Sequence, residues 1–304
     1  MRVAFLGPEG TFTEEALLSQ PDLAAAEVVP MGDIVSVIAA VAEGQVDTGV
    51  VPVENSIEGA VTATLDTLAF EYPALRVRRE IEIPIDHNLL APPATALPDI
   101  KEVRSKPEAA AQCRMFLARN LPGIAVVAAN STAEAARSLV GTAGVAAIGT
   151  ALAAKLYGLE VVVEHIEDHP ENTTRFWLLG RGIPAPSGHD KTTLVVFQPV
   201  DRPGGLLAIL QEFAARAINL TKIESRPTKR ALGRYCFFID LEGHVDDELV
   251  ADALRNLLSK GNEVLCLGSY AAAGDHAARR REVGEAWVRA DDQVRRLRDE
   301  VEPA

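Results

Sequence analysis

The sequence predicts an α/β protein of two domains, the second a ferredoxin-like βαββαβ unit. Three observations carry that prediction. Up to about residue 180, short apolar runs of strand character alternate with helical stretches, the pattern of a domain with largely parallel or mixed sheets. Residues 181–191, RGIPAPSGHDK, are rich in proline and glycine, have little capacity to form a core, and read as a linker. Beyond them the order becomes strand, helix, strand, strand, helix, strand. At about 100–200 residues per domain, 304 residues fit two.

Each element has its own justification. RVAFL opens as a strand, and a helix begins around Thr13 and runs to Leu18. Asp33 suits the N-cap of IVSVIAAVAEG, which closes at Gly44. TGVVPV reads as a buried strand, and VTATLDTLAF as a helix with Val61, Leu65 and Leu68 on one face. IEIPIDHNLL alternates Ile81, Ile83 and Ile85 at strand spacing, and KEVRS, IAVVAA, GVAAIG and LEVVV follow as strands separated by helices. In the second domain TTLVVF, NLTKIESRP, GRYCFFIDLEG and EVLCLGSYA are strands, while GGLLAILQEFAARA and DELVADALRNLLSK are helices. The tail from residue 273 is charged with few apolar anchors, and a solvated helix is expected there.

Composition excludes several classes of function. A net charge of −13 argues against a general nucleic-acid binder, which needs a basic face. It leaves room for a small anionic substrate, because helix N-termini and one arginine make local positive potential. Apolar runs fall short of the ~20 residues that span a bilayer, and the N-terminus lacks the apolar core and cleavage site of a signal peptide. A cytoplasmic protein without membrane partners is expected. Cys113, Cys236 and Cys266 are scattered without metal-like spacing and read as reduced, buried thiols.

Three strand-to-helix junctions match the S/T-x-x-E capping box: Thr11 to Glu14, Ser105 to Glu108 and Ser131 to Glu134. In α/β folds such junctions gather at the carboxyl ends of strands, where ligands bind. Ordinary capping explains each one alone, and Lys106 and Pro107 fit simple helix initiation equally well. GPEGTFTEEA supplies a glycine turn at Gly7 and Gly10 with Thr11 and Thr13 beside it, but lacks the Gly-Lys-Ser/Thr of a P-loop. VPVENSIEGAV presents Asn55 and Ser56 at a strand end; Ser56 reads either as a site residue or as a helix cap with Glu58 beside it. HPENTTRFWLLG crowds Asn172, Thr173, Thr174 and Arg175 ahead of an apolar strand.

Taken in order, GPEGTFTEEA, VPVENSIEGAV, NSTAEAA and ENTTRFWLLG resemble the signature segments of prephenate dehydratases. DRPGGLLAIL, NLTKIESRP and the βαββαβ order resemble their ACT regulatory domain. The resemblance covers the chain to about Ala272. It departs at Ser105-Lys106-Pro107, where the family often has Ser-His-Pro.

The resemblance implies a catalytic domain over 1–180 of the two-lobed, periplasmic-binding-protein-like type, with lobe one about 1–75 plus 160–180 and lobe two about 76–159. It implies a linker at 181–191 and an ACT domain over 192–272. It further implies conversion of prephenate to phenylpyruvate with loss of water and carbon dioxide, without metal or organic cofactor. Thr174 matches the family's catalytic threonine. Thr11, Thr13, Asn55, Ser56, Ser131, Thr132, Thr173, Arg175 and Phe176 are the candidates for substrate binding, although Arg175 could instead orient the threonine, and Phe176 reads as core or cleft wall. Feedback by phenylalanine at a subunit interface of a dimer or tetramer is implied, with Gly204, Gly205, Leu206, Asn219, Leu220, Glu224, Ser225, Arg226 and Pro227 as the expected site. Dehydration of arogenate, and a non-catalytic solute-binding or amino-acid-sensing protein, are the alternatives.

Overall fold

A computed structural model describes residues 1–200, 202–229, 233–273, 292–294 and 296. The tail expected from 273 onward therefore lies almost wholly outside the described residues. The chain divides between Gly182 and Ile183 into two compact units.

In the first unit the chain builds β1 (Arg2–Leu6), α1 (Phe12–Leu18), α2 (Pro21–Ala24), β2 (Glu27–Met31), α3 (Ile34–Ala42) and β3 (Thr48–Asn55). It continues through the short β4 (Gly59–Ala60), α4 (Thr62–Asp66) with a π-helical turn at Thr67–Glu71, and β5 (Arg76–Pro84). A second sheet is laid down by β6 (Asn88–Ala91), β7 (Glu102–Ser105), α5 (Pro107–Gln112), α6 (Arg114–Asn120), β8 (Ala125–Ala128), α7 (Thr132–Arg137), β9 (Val145–Gly149), α8 (Ala151–Tyr157) and β10 (Glu160–Val163). The chain then returns as β11 (Thr173–Gly180), inserted between β5 and β3 and antiparallel to both. Within this unit one sheet runs β5-β11-β3-β1-β2 and the other β10-β6-β9-β7-β8.

Two crossings between the sheets create two lobes, at boundaries other than those expected. β5 belongs to the first sheet and β10 to the second, because β11 needs β5 as a neighbour and β10 pairs with β6. Val3, Phe5, Val50, Ile81, Phe176 and Leu178 pack with Ala16 and Leu17 of α1 in the first core. Leu89, Val103, Cys113, Leu117 and Ile148 form the core of the second lobe. Each fully buried large side chain is worth about 1.5–3 kcal/mol.

The caps form at two of the three predicted boxes. Thr11 accepts from Glu14 N, and the Glu14 carboxylate returns to Gly10 N. Ser131 accepts from Glu134 N at 2.9 Å while Glu134 accepts from Asn130 N. The second box does not form: Lys106 takes the N-cap position without a side-chain cap, and Ser105 is buried as the last residue of β7. Nor does Ser56 cap a helix, because the chain after β3 turns into β4 and α4 starts after Val61. Asp33 caps α3 through Ser36 N at 2.7 Å, and Gly44 follows in the left-handed region as expected.

The second unit contains β12 (Asp190–Phe197), α9 (Gly205–Ala214), β13 (Leu220–Pro227), β14 (Tyr235–Glu242), α10 (Glu248–Ser259) and β15 (Glu263–Ala271). Its strands run β13-β14-β12-β15, all antiparallel, which is the split βαββαβ topology. Ile209, Phe213, Val250 and Leu257 of the helices pack on Leu194, Val196, Ile239 and Leu241 of the sheet. The linker ends earlier than expected: Asp190 and Lys191 already belong to β12 and are buried. Cys113 and Cys236 are buried as expected, whereas Cys266 is only half-buried.

Candidate functional site

The polar block ahead of β11 meets the carboxyl end of β3, so Thr174 lies opposite Asn55 in the ladder. A bulge in that pairing sits between Arg175 and Phe176. Side chains alternate along a strand, so Thr174 continues the row of Phe176 and Leu178 past the edge of the first core. Thr174 is 8% exposed.

A chain of side-chain amides surrounds that threonine. Asn55 Nδ2 donates to Thr174 Oγ1 at 2.9 Å and to Asn172 Oδ1 at 2.7 Å. Asn172 Nδ2 donates to Gln112 Oε1 at 3.0 Å, and Gln112 Nε2 donates to Glu58 Oε1 at 2.9 Å. Ser56 Oγ donates to Asn172 Oδ1 at 3.3 Å and accepts from Thr173 N at 3.0 Å. His87 Nε2 lies 3.0 Å from Gln112 Oε1.

Amide orientations normally follow from the best network rather than from direct observation. Here one end of the chain is anchored by groups that cannot turn round. Asn55 Oδ1 accepts from the backbone N–H of Ile57 and of Glu58, both at 3.0 Å. Reversing Asn55 would set its NH₂ against two donors. With Asn55 fixed, Asn172 must present Oδ1 to it, and Gln112 must in turn present Oε1 to Asn172. Thr174 Oγ1 is thereby an acceptor from Asn55, and its own hydrogen is left to donate outward. That polarity suits a hydroxyl that stabilises a departing oxygen.

Arg175 lies on the opposite face of β11. Its Nε is 2.9 Å from Glu80 Oε1 and its Nη1 is 3.3 Å from Glu54 Oε2, and the guanidinium stands 5.5 Å from the centre of the Trp177 ring. Those carboxylates come from β5 and β3, so the arginine ties together the three strands that carry Thr174. Substrate binding by Arg175 is therefore corrected by the alternation of the strand; orientation of the threonine is the role its geometry fits. Phe176 is corrected likewise: at 1% exposure among Val50, Ile81 and Ile83 it is core and has no surface to offer a ligand.

The other expected residues occupy two helix starts. Thr11 and Thr13 stand at α1 and Ser131 and Thr132 at α7, outside the hydrogen-bonded group around Thr174. The hydroxyls of Thr11 and Ser131 are engaged in capping, and Thr11 Oγ1 also donates to Leu6 O at 3.0 Å. Phe12, between the two threonines, meets the His87 ring edge-on at 5.4 Å. The glycine turn before α1 also reaches the second lobe: Thr150 Oγ1 donates to Gly10 O at 2.9 Å and Tyr157 OH to Glu9 O at 2.8 Å.

Gln112, Asn172 and His87 were not singled out from the sequence. Asn172 stood inside the polar block, and Gln112 is the one long polar side chain after three alanines of α5. His87 is 2% exposed, and burial holds its pKa below the ordinary histidine value. As for metals, Asp86, His165 and Glu167 each bring a ligand atom within 4.8 Å of the others.

In the second unit Gly204 adopts φ +78° as the N-cap of α9, and a Cβ on Gly205 would lie 2.5 Å from Gln198 Nε2. Gln198, Val200, Ser225, Arg234, Tyr235 and Phe237 line a cavity of about 260 Å³. The run Glu224 to Pro227 splits between faces. Ser225 pairs with Phe237 on the cavity side, whereas Glu224 and Arg226 pair with Phe238 and Cys236 on the other. Asn219, which donates to Glu242 Oε1, and Leu220 stand at the far end of β13, roughly 16 Å along the strand from Ser225.

Comparison with known proteins decides the family. The family model for prephenate dehydratase matches residues 3–183, and that for the ACT domain residues 192–259. The chain belongs to the prephenate dehydratase family. A prephenate dehydratase of Mycolicibacterium vanbaalenii is 43% identical over 283 residues, covering 88% of this chain and 90% of the relative. The crystal structure of an Arthrobacter aurescens prephenate dehydratase in complex with L-Phe has a TM-score of 0.86 at 40% identity, over 98% of this chain and 100% of that one. A third structure, GqqA, described as a novel type of quorum quenching acylase, reaches 0.79 at 29% identity over 90% and 98%.

Proposed function

We propose that this protein converts prephenate to phenylpyruvate. The ring carboxylate leaves as carbon dioxide, and its bonding pair enters the ring as the C–O bond to the ring hydroxyl breaks. The hydroxyl takes up a proton and departs as water, so one proton is consumed and a decarboxylating carbon–oxygen lyase reaction is complete without oxidant or reductant. The observation that carries this reading is the polarity of Thr174. An enzyme assisting that departure needs a positioned donor, and Asn55 leaves Thr174 with its hydrogen directed outward. Thr13, Thr132 and the neighbouring backbone N–H groups of the two lobes are assigned to the substrate carboxylates, with Ser56 and Thr173 lining the approach. Thr11 and Ser131 shape those turns through their caps.

The acylase likeness does not favour a second chemistry. A threonine nucleophile needs a base on its oxygen, whereas the group on Thr174 Oγ1 is an N–H. Phenylalanine is assigned to the second unit as an inhibitory effector, binding beside Gly204, Gly205, Leu206 and Ser225. Asn219 and Leu220 lie too far along β13 to join that cavity in the same chain, so a second copy would bring them; the enzyme is a homo-oligomer on this reading. A cytoplasmic setting fits a biosynthetic enzyme in which no described helix is long and apolar enough to cross a membrane.

The test is incubation with prephenate while following the absorbance of the aromatic keto acid, with and without phenylalanine. Formation of phenylpyruvate, suppressed by phenylalanine, is expected. No product from prephenate, or turnover of arogenate with a higher kcat/KM, overturns the substrate assignment.

A further inference from the structure

His87 reaches the reaction centre without touching it. It lies on the crossover from β5 to β6, its ring buried against Phe12 and its Nε2 3.0 Å from Gln112 Oε1. Gln112 ends α5 in the second lobe, and its side chain meets Asn172 and Glu58 of the first. The anchored amide chain requires Gln112 to present its carbonyl oxygen toward His87, so the imidazole must donate from Nε2. Its Nδ1 is buried and has no hydrogen-bond partner among the described residues, as a bare ring nitrogen would.

We propose that His87, as the neutral Nε2–H tautomer, is a positioning residue for the dehydratase reaction. It holds the Gln112 carbonyl together with Asn172, so that the Gln112 NH₂ is turned toward Glu58. Two donors on one amide oxygen fix the plane of the amide; without His87 that oxygen keeps one donor, Asn172, and the amide is held less tightly between Asn172 and Glu58. The proposal rests on the prephenate dehydratase reading for its kinetic consequence, but the tautomer it requires does not.

Two measurements test it. In protein labelled with ¹⁵N-histidine, the His87 ring at pH 7 shows a protonated Nε2 and a bare Nδ1; the opposite tautomer, or an imidazolium, overturns the proposal whether or not prephenate is turned over. In the kinetic arm, His87→Leu lowers kcat about tenfold, the order of one lost hydrogen bond, and His87→Gln, which keeps an N–H at similar reach, recovers most of it. In a Gln112→Leu background His87→Leu costs nothing further, because the group it acts through is gone. An equal tenfold loss in both backgrounds shows a general packing role and overturns the proposal. Should His87→Leu fail to fold, the ¹⁵N measurement on the wild-type protein decides alone: a protonated Nε2 with a bare Nδ1 supports the proposal, and the opposite tautomer or an imidazolium overturns it.

Discussion

At the scale of the residue, the site turns on which atom of each amide faces which neighbour. Asn55 is fixed by two backbone N–H groups, and that alone decides that Thr174 Oγ1 receives a hydrogen bond from Asn55 and does not spend its own hydrogen on it. Asn55→Asp is nearly isosteric but replaces the donor with a carboxylate. Thr174 would then donate to it, turning the hydrogen away from the cleft. A loss of about 10²–10³-fold in kcat is expected, within the range of a lost general acid; a kcat close to wild type would show that Asn55 does not set the polarity. Thr174, Asn55 and Ser56 were legible in the sequence because they lie in short polar motifs at the ends of strands, although Asn55 also has the local duty of accepting from Ile57 N and Glu58 N. Gln112, Asn172 and His87 were not, because their partners are 25 to 117 residues away and only the fold brings them together. For Phe176 and Arg175 the sequence left two roles open, substrate contact or a place in the core and beside the threonine; alternation along the strand favours the second for each, because adjacency to Thr174 in sequence says little about adjacency in space.

At the scale of the element, β11 is positioned by what it crosses. Arg175 bridges Glu54 on β3 and Glu80 on β5, and the Glu80 side chain is fully buried. Removing one member of such a group leaves a buried charge uncompensated, a cost of about 3–5 kcal/mol. Arg175→Met is therefore expected to lower the free energy of unfolding by about 3 kcal/mol in denaturant titration; an unchanged midpoint would show that the ion pairs contribute no net stability. The glycine turn before α1 is a second fixed point. Gly10 has φ +86°, and a Cβ there would stand 3.1 Å from the backbone Cα of Ala153 in α8. Gly10→Ala should cost about 1–3 kcal/mol from the strained backbone, read as a lower denaturation midpoint; wild-type stability would mean that the two lobes separate there without penalty. Strand and helix positions followed well from hydrophobic periodicity and caps. The lobe boundaries did not, since nothing local in RVRREIEIP tells which of two sheets will accept it.

At the scale of the whole molecule, the βαββαβ unit was readable from element order alone, but the way its candidate effector residues divide was not. A bulge at the start of β13 and the alternation after it place Ser225 on the cavity side and Glu224 and Arg226 on the other. On the proposed reading, phenylalanine binding requires two chains, because Asn219 and Leu220 stand at the other end of the strand. Sedimentation is expected to show a dimer or tetramer at micromolar concentration, and Asn219→Ala to raise the phenylalanine concentration needed for half inhibition. A monomer that remains fully sensitive to phenylalanine would contradict that arrangement. Inhibition itself requires phenylalanine to prefer a less active state, so its affinity must fall when a substrate analogue is bound.

The central claim is that the Thr174 hydroxyl donates to the departing oxygen. The most direct measurement is kcat and KM for prephenate in Thr174→Val beside Thr174→Ser. The account predicts that valine, which keeps the shape, lowers kcat by about 10²–10⁴-fold with KM little changed, while serine retains much of the activity. Near-normal turnover by the valine variant would contradict it.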